Sequence, residues 1–416
     1  MTYQPPAGAR DLLPLDVAQK HWIENRLEQV FQRWGYHRII TSTVEQLDTL
    51  MAGGAIDHDA VIELQPSAGK RLGLRPELTA SIARTAVTRL ARVTYPQRLY
   101  YNANVFRQAA QGSHGTQQEF YQAGVELLGA GAAVADGEIL LLLLDCLASL
   151  RIESWCLILG DAQLTQALLE PFAPDQRQAV RQALADLNRV ALETLNLSPA
   201  LRQHALYLLD LRGRPEDVLQ AIARLDLGPD TQATVERLKS LVALLRDVKP
   251  DQVGAEATSD PSLTLDLSLI QPFDYYTGLV FEVVTGPAQG CQVLGQGGRY
   301  DHLLGVFQGQ GQGQGFPGIG FVLNMEALHQ ALLPTGHLPQ DTPASDWLVV
   351  PTVPQAAAAA FTYAQTLRAS SSLVRAEVHL ATGEPATATR DLARQRRISR
   401  IAWIGPDGLP DIEALN

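Results

Sequence analysis

The run Phe273-Asp274-Tyr275-Tyr276-Thr277-Gly278 constrains this chain more than any other feature. Two adjacent tyrosines stand between an aspartate and a threonine-glycine pair, directly ahead of a stretch with strand propensity over 279–284. Gly297-Gly298-Arg299-Tyr300-Asp301 follows downstream. Tyrosines in such a run are either core aromatics with one hydroxyl satisfied or hydroxyls presented to a ligand. The run alone leaves both open, and a lone glycine pair such as Gly297-Gly298 ordinarily marks a turn.

The surrounding chain alternates between helix and strand patterns. Trp22, Ile23, Leu27, Val30, Phe31 and Trp34 recur at helical spacing, and Gly35 ends that helix. Residues 36–44 read as one strand, as do 99–106 and 119–126, with a polar loop over 112–116. A helix is expected over 133–150 and a strand over 155–159. Residues 162–248 are rich in Leu, Ala, Gln and Arg with almost no strand signal, so a helical insertion is expected at about 162–250. A linker over 249–262 precedes strands at 263–269 and 279–284. A second linker, 333–346, contains Pro334, Pro339 and Pro343. Beyond it, strands at 347–350, 375–380 and 401–404 alternate with helices at 355–369 and 387–397, which predicts a small α/β unit with a parallel sheet. The expected domains are therefore 1–332 and 346–416.

Three short motifs carry candidate chemistry. In Leu74-Arg75-Pro76-Glu77-Leu78-Thr79, a carboxylate and a hydroxyl lie two residues apart ahead of a helix. On an extended segment they face the same way and could jointly receive an ammonium group; at a helix start, either could be a cap. Arg107 ends one strand, and Gln122 and Glu126 share a face of the next. An arginine, an amide and a carboxylate on one sheet face could hold a zwitterion, or could simply be a solvated polar face.

Composition narrows the remaining classes. At 416 residues the chain can hold two or three domains. Its 46% apolar and 19% charged content is that of an ordinary soluble globular protein. The apolar run 139–144 is too short to cross a bilayer, and the N-terminus shows no secretion signal. Cys146, Cys156 and Cys291 are too scattered for a disulfide framework, and neither they nor the nine histidines have metal-ligand spacing. Reduced thiols and a cytoplasmic location are expected. A net charge of -11 weighs against tRNA as a partner. Arg390, Arg394, Arg396, Arg397 and Arg400 are either a solvated face or an RNA or partner contact. The Gln-Gly repeat over 308–315 lacks the lysine and hydroxyl of a phosphate-binding loop and reads as a flexible loop.

Taken in order, Gly8-Ala9-Arg10-Asp11-Leu12-Leu13-Pro14, the first helix into Gly35-Tyr36, Arg75-Pro76-Glu77 with Thr79, Phe106-Arg107, Gly124-Val125-Glu126, Asp274 to Gly278, Gly297 to Asp301 and Gly318-Ile319-Gly320 resemble the histidyl-tRNA synthetases. The resemblance covers roughly residues 5–330. It implies an α+β fold of the class II aminoacyl-tRNA synthetase type, an antiparallel sheet flanked by helices that dimerises through its first motif, followed by a shortened anticodon-binding-like α/β domain. By position, Glu77, Thr79 and Gln122 would hold the amino group of a bound histidine, and Glu126 and Tyr276 its imidazole. Arg107 and Tyr275 complete the candidate histidine-binding set.

The departures from that family fall on the ATP side. Gln271 and Pro272 stand where the synthetases carry an arginine and a glycine, Ala109 replaces a nucleotide-contacting glutamate, and Ala327 replaces the third-motif arginine. Asn324 replaces a glycine and Ser42 the first-motif proline. Adenylate formation depends on fixed cations at the phosphate oxygens, and losing one such donor costs on the order of 10²–10³ in rate. A histidine pocket without an activation site is similar to the family of ATP phosphoribosyltransferase regulatory subunits. That resemblance implies no catalytic residues, cofactor or metal in this chain. It also implies assembly with a short-form ATP phosphoribosyltransferase catalytic subunit in a hetero-oligomer, L-histidine as feedback effector, and a role in the first step of histidine biosynthesis. A divergent active histidyl-tRNA synthetase is the alternative.

Overall fold

The computed structural model describes the chain apart from residues 1–4, 7, 53, 55–57, 68, 91, 109–116, 226, 250–262, 270–274, 287–289, 309–315, 371–372, 382 and 416. Ala109, Gln271, Pro272, Phe273, Asp274, the expected loop over 112–116, most of the first linker and most of the Gln-Gly repeat lie outside the described residues. The chain divides into two compact units, Met1–Leu338 and Pro339–Asn416.

The first unit begins with α1 (Pro14–Arg33), where Pro14 supplies the first-turn proline and Asp16 accepts from the Leu13 amide at 2.9 Å. Ile23, Leu27, Val30 and Phe31 form its buried stripe, and Gly35 takes φ 79° to end it. Two short strands follow, β1 (His37–Arg38) and β2 (Val44–Gln46), where one strand over 36–44 is expected. The buried Arg75 guanidinium explains the interruption. It donates to the Thr41 and Ser42 carbonyls, which are thereby drawn out of the ladder, and Ile40 between the strands is exposed.

Next come α2 (Leu47–Met51), β3 (Glu63–Ser67), β4 (Lys70–Leu74), α3 (Thr79–Thr88), β5 (Gln97–Phe106), β6 (Glu119–Leu128) and α4 (Ala133–Leu150). The helix α4 contains the leucine-rich apolar run 139–144 and is buried on nearly every side, as a helix apolar all round must be. After β7 (Trp155–Asp161), the helices α5 (Ala162–Leu169), α6 (Pro174–Ala185), α7 (Arg189–Thr194), α8 (Pro199–Asp210), α9 (Pro215–Ile222) and α10 (Pro229–Val248) form the helical stretch. Among its described residues the one strand is the two-residue β8 (Arg212–Gly213). Its apolar positions, among them Leu184, Leu208, Ile222 and Leu238, belong to the same continuous core as α1 and α4. The unit closes with β9 (Leu263–Asp266), β10 (Leu279–Thr285), β11 (Val293–Arg299), α11 (Leu303–Phe307), β12 (Gly318–Asn324) and α12 (Met325–Leu332).

Nine strands form one sheet in the order β1-β5-β6-β12-β11-β10-β7-β9-β8. All neighbours are antiparallel except the β1/β5 and β7/β9 pairs. Strands β2, β4 and β3 form a separate small sheet.

The second unit comprises β13 (Trp347–Pro351), α13 (Ala357–Ala369), β14 (Ala376–Val378), α14 (Ala386–Gln395), β15 (Arg400–Ile404) and β16 (Pro410–Ala414). Its sheet runs β14-β13-β15-β16, with the first three strands parallel as expected and the last antiparallel. The sequence reading stops at Ile404 and misses β16. That edge strand starts at a proline and is largely exposed, so it lacks the apolar alternation that signals a strand.

Here the arginine cluster is paired. Arg390, Arg394, Arg396 and Arg397 meet Glu413, Asp391, Glu377 and Asp341 at 2.5–3.4 Å, and Arg400 lies over the Trp347 ring at 5.1 Å. These guanidiniums are held by carboxylates and an aromatic face of the same unit, which favours a solvated face over an RNA or partner contact.

Candidate amino-acid binding site

The pocket is built on a row of residues that crosses the sheet. Glu126 on β6 pairs with Gly320 on β12, and Gly320 pairs with Gly298 on β11. Directly paired residues of neighbouring strands project on the same face, so two positions beside Glu126 present no side chain. That gap is required. A Cβ at Gly320 would lie 2.1 Å from Glu126 Oε2, and one at Gly298 would lie 2.7 Å from the Tyr276 ring. Above this floor is a small cavity, partly open to solvent.

All seven residues singled out from the sequence, Glu77, Thr79, Arg107, Gln122, Glu126, Tyr275 and Tyr276, line this cavity. Their arrangement differs in one respect from the expectation. Thr79 is the first residue of α3 rather than part of an extended segment, and Glu77 caps that helix, accepting from the Thr79 amide and from the Ala80 amide at 2.9 Å. The capping and pocket-lining alternatives are therefore both realised. Because its carboxylate is anchored by the helix end, Glu77 is held in place while it faces the cavity.

Glu126 is the centre of the site. It is 2% exposed, and Thr79 Oγ1 donates to its Oε1 at 2.8 Å while the Tyr300 hydroxyl donates to Oε2. Burial pushes its pKa up to about 8, although these two hydrogen bonds pull the other way and the nearby Glu77 adds to the rise. Burial likewise raises Glu77 against the backbone amides that stabilise its charge. Arg107 is the one Lys or Arg among the described residues lining the cavity; its Nε donates to the Pro76 carbonyl at 3.0 Å. Tyr275 packs edge-on to Tyr276 and Tyr300, with centroids 4.8 and 5.7 Å apart. Burial holds these phenols above their ordinary range, so they stay protonated donors.

The sequence reading missed Tyr101, Gln296, Tyr300 and Phe321 as lining residues. Tyr300 follows the Gly297-Gly298 pair, which is expected to mark a turn but instead lies within β11. Its role depends on the β6-β12-β11 order, which local pattern does not reveal.

Two buried carboxyl groups, one guanidinium and a ring of hydroxyls suit a small zwitterion with an additional basic group. An ammonium would meet Glu77, a carboxylate would meet Arg107, and a ring with two distinct nitrogens would meet Glu126 and the phenols.

Where activation chemistry would be expected, the described residues are occupied structurally. Ala327 on α12 is 1% exposed and belongs to the main core. Its amide is capped by Asn324 Oδ1 at 3.0 Å. Glu326 accepts from the Tyr121 amide through both oxygens, at 3.2 Å each, and so ties α12 to β6. A second, partly open cavity lies among Arg10, Asp16, Glu326 and His329. Among its charged groups, Arg10 meets Glu326 at 4.0 Å and Asp16 accepts from the Leu13 amide.

Fold and site together define a histidyl-tRNA synthetase-like protein of class II, and residues 8–328 match the histidyl-tRNA synthetase family. An ATP phosphoribosyltransferase regulatory subunit from Nostoc sp. PCC 7120 is 56% identical over 416 residues, covering 100% of both chains. The chain belongs to the family of ATP phosphoribosyltransferase regulatory subunits. Among solved structures, an ATP phosphoribosyltransferase regulatory subunit/histidyl-tRNA synthetase from Bacillus halodurans superposes with a TM-score of 0.79 at 26% identity, covering 97% of this chain and 99% of the other. Histidyl-tRNA synthetase from Nostoc sp. PCC 7120 shares the fold with a TM-score of 0.77 at 19% identity, covering 100% of this chain and 97% of its own.

Proposed function

We propose that this chain is a non-catalytic subunit whose cavity binds L-histidine and reports it to a short-form ATP phosphoribosyltransferase catalytic subunit. The two chains together carry out the first step of histidine biosynthesis in the cytoplasm, and histidine in the cavity signals feedback inhibition. Glu77, Thr79 and Gln122 receive the amino group, Arg107 faces the carboxylate, and Glu126 with Tyr275 and Tyr276 addresses the imidazole. The working assembly is a hetero-oligomer containing a dimer of this chain.

The observation that carries this reading is the contrast between the two halves of an activation site. The amino-acid side is complete around Glu126, whereas the third-motif position is a core alanine, Ala327, with no charge to offer phosphate. Relatives support the same division. In Nostoc sp. PCC 7120 the regulatory subunit and the histidyl-tRNA synthetase are separate chains, and this sequence is 56% identical to the first and 19% to the second.

Calorimetric titration with L-histidine, alongside histidine-dependent ATP–pyrophosphate exchange, tests the pocket and the absence of activation. Saturable binding without exchange is expected. Exchange at synthetase-like rates would instead make the chain a divergent histidyl-tRNA synthetase.

A further inference from the structure

The helical stretch 162–248 lacks any motif of its own, yet its last helix reaches Gly278, two residues beyond the pocket-lining Tyr276. Helix α10 seats on α4 where Gly137 leaves room: a Cβ there would lie 2.4 Å from Leu244 Cδ2. From this seat Arg237 donates to Asp161 Oδ2 at 2.7 Å. Asp161 is fully buried at the end of β7 and caps α5 by accepting from the Leu164 amide at 2.9 Å.

Asp161 pairs in register with Leu279, and the adjacent Ala162 amide donates to the Gly278 carbonyl at 2.8 Å. Gly278 is therefore held between two arginines. A Cβ built on it would lie 3.3 Å from Arg237 Nη2 and 3.3 Å from Arg299 Cδ. Arg299 in turn bonds Asp136 on α4 and Asp301, and its carbonyl accepts from the Thr277 amide at 2.8 Å. Thr277 and Gly278 follow immediately on Tyr275 and Tyr276, the two phenols that line the cavity.

We infer that Arg237 is a positioning residue for the amino-acid pocket, and that through Asp161 and Gly278 the helical insertion sets the placement of Tyr275 and Tyr276. The inference rests on the histidine-binding reading of the cavity. It gives the insertion a function: a shift of α10, by a partner or by neighbouring helices, changes ligand affinity without touching the ligand. By linkage, ligand in the pocket biases α10 by the same factor.

A purely structural role and a positioning role separate in a pair of variants. Arg237→Met leaves Asp161 buried without its cation and is expected to lower both the thermal midpoint and L-histidine affinity. Adding Asp161→Asn removes the orphaned charge while an asparagine can still cap α5. The double variant is expected to recover the thermal midpoint yet bind L-histidine at least about fivefold more weakly than wild type in calorimetric titration, the low end of typical coupling. Wild-type affinity in the double variant would overturn the inference alone. Absence of L-histidine binding by the wild-type protein would overturn the pocket reading, and this inference with it.

Discussion

Thr79 Oγ1 lies 2.8 Å from Glu126 Oε1, joining the start of α3 to β6 across the wall of the cavity. Thr79 therefore orients the carboxyl group at the centre of the site as well as facing the cavity. Thr79→Val keeps the side-chain shape and removes only the hydroxyl. Leaving a buried carboxyl without one partner costs about 1–3 kcal/mol. L-histidine affinity is expected to fall by roughly one to two orders of magnitude in calorimetric titration, with the fold retained.

The raised pKa of Glu126 gives stability a pH dependence of defined sign. Its pKa is about 8 in the folded chain against an ordinary 4.5, so the folded state binds the proton more tightly than the unfolded state. Stability contributed by that proton is present below the unfolded value and is lost as pH rises from about 4.5 towards 8. Glu126→Gln, which mimics the neutral acid, is expected to flatten this part of the stability curve in denaturant unfolding across pH 5–8. An unchanged slope would show that Glu126 is ionised at neutral pH.

Ligand binding inherits the same proton. Between about 6.5, where free imidazole loses its proton, and about 8, the empty site carries one proton on Glu126 and the imidazole none. One shared proton is what an imidazole–carboxyl pair needs. Above this window a proton must be taken up on binding, and below it one must be released. L-histidine affinity is expected to be greatest between these limits. Titrations in buffers of different ionisation enthalpy would report uptake on the alkaline side and release on the acidic side.

Gly320→Ala tests the floor of the pocket. The added Cβ would stand 2.1 Å from Glu126 Oε2, in a row where strand pairing prevents retreat. Overpacking of this kind costs about 1–3 kcal/mol, and Glu126 must leave its place. A lowered thermal midpoint together with loss of L-histidine binding is expected.

Restoring the family arginine should not restore activation. Ala327 is in the core, so Ala327→Arg must bury a guanidinium or displace α12, and destabilisation of about 2–4 kcal/mol is expected. ATP–pyrophosphate exchange should stay at background in this variant.

Much of the site is legible in the sequence because its parts are short motifs with fixed local geometry. The alternation of Gln122 and Glu126 along β6 survives folding unchanged, since a strand has period two. Glu77 and Thr79 share the pocket for a different reason from the expected one: a helix start turns them together. Tyr300 and Gly320 were not readable as pocket residues because they meet Glu126 only through non-local strand order. The break between β1 and β2 was hidden for a similar reason, depending on Arg75 arriving from a distant segment. In the second unit, β16 escaped notice because an exposed edge strand carries little apolar patterning.

The most direct test is phosphoribosyl-ATP formation by the short-form catalytic subunit of the same organism, measured with and without this chain and with added L-histidine. Activity that requires both chains and falls as histidine is added is the expected result. Catalytic-subunit activity indifferent to this chain, or a complex whose activity ignores histidine, would contradict the proposed role in histidine sensing.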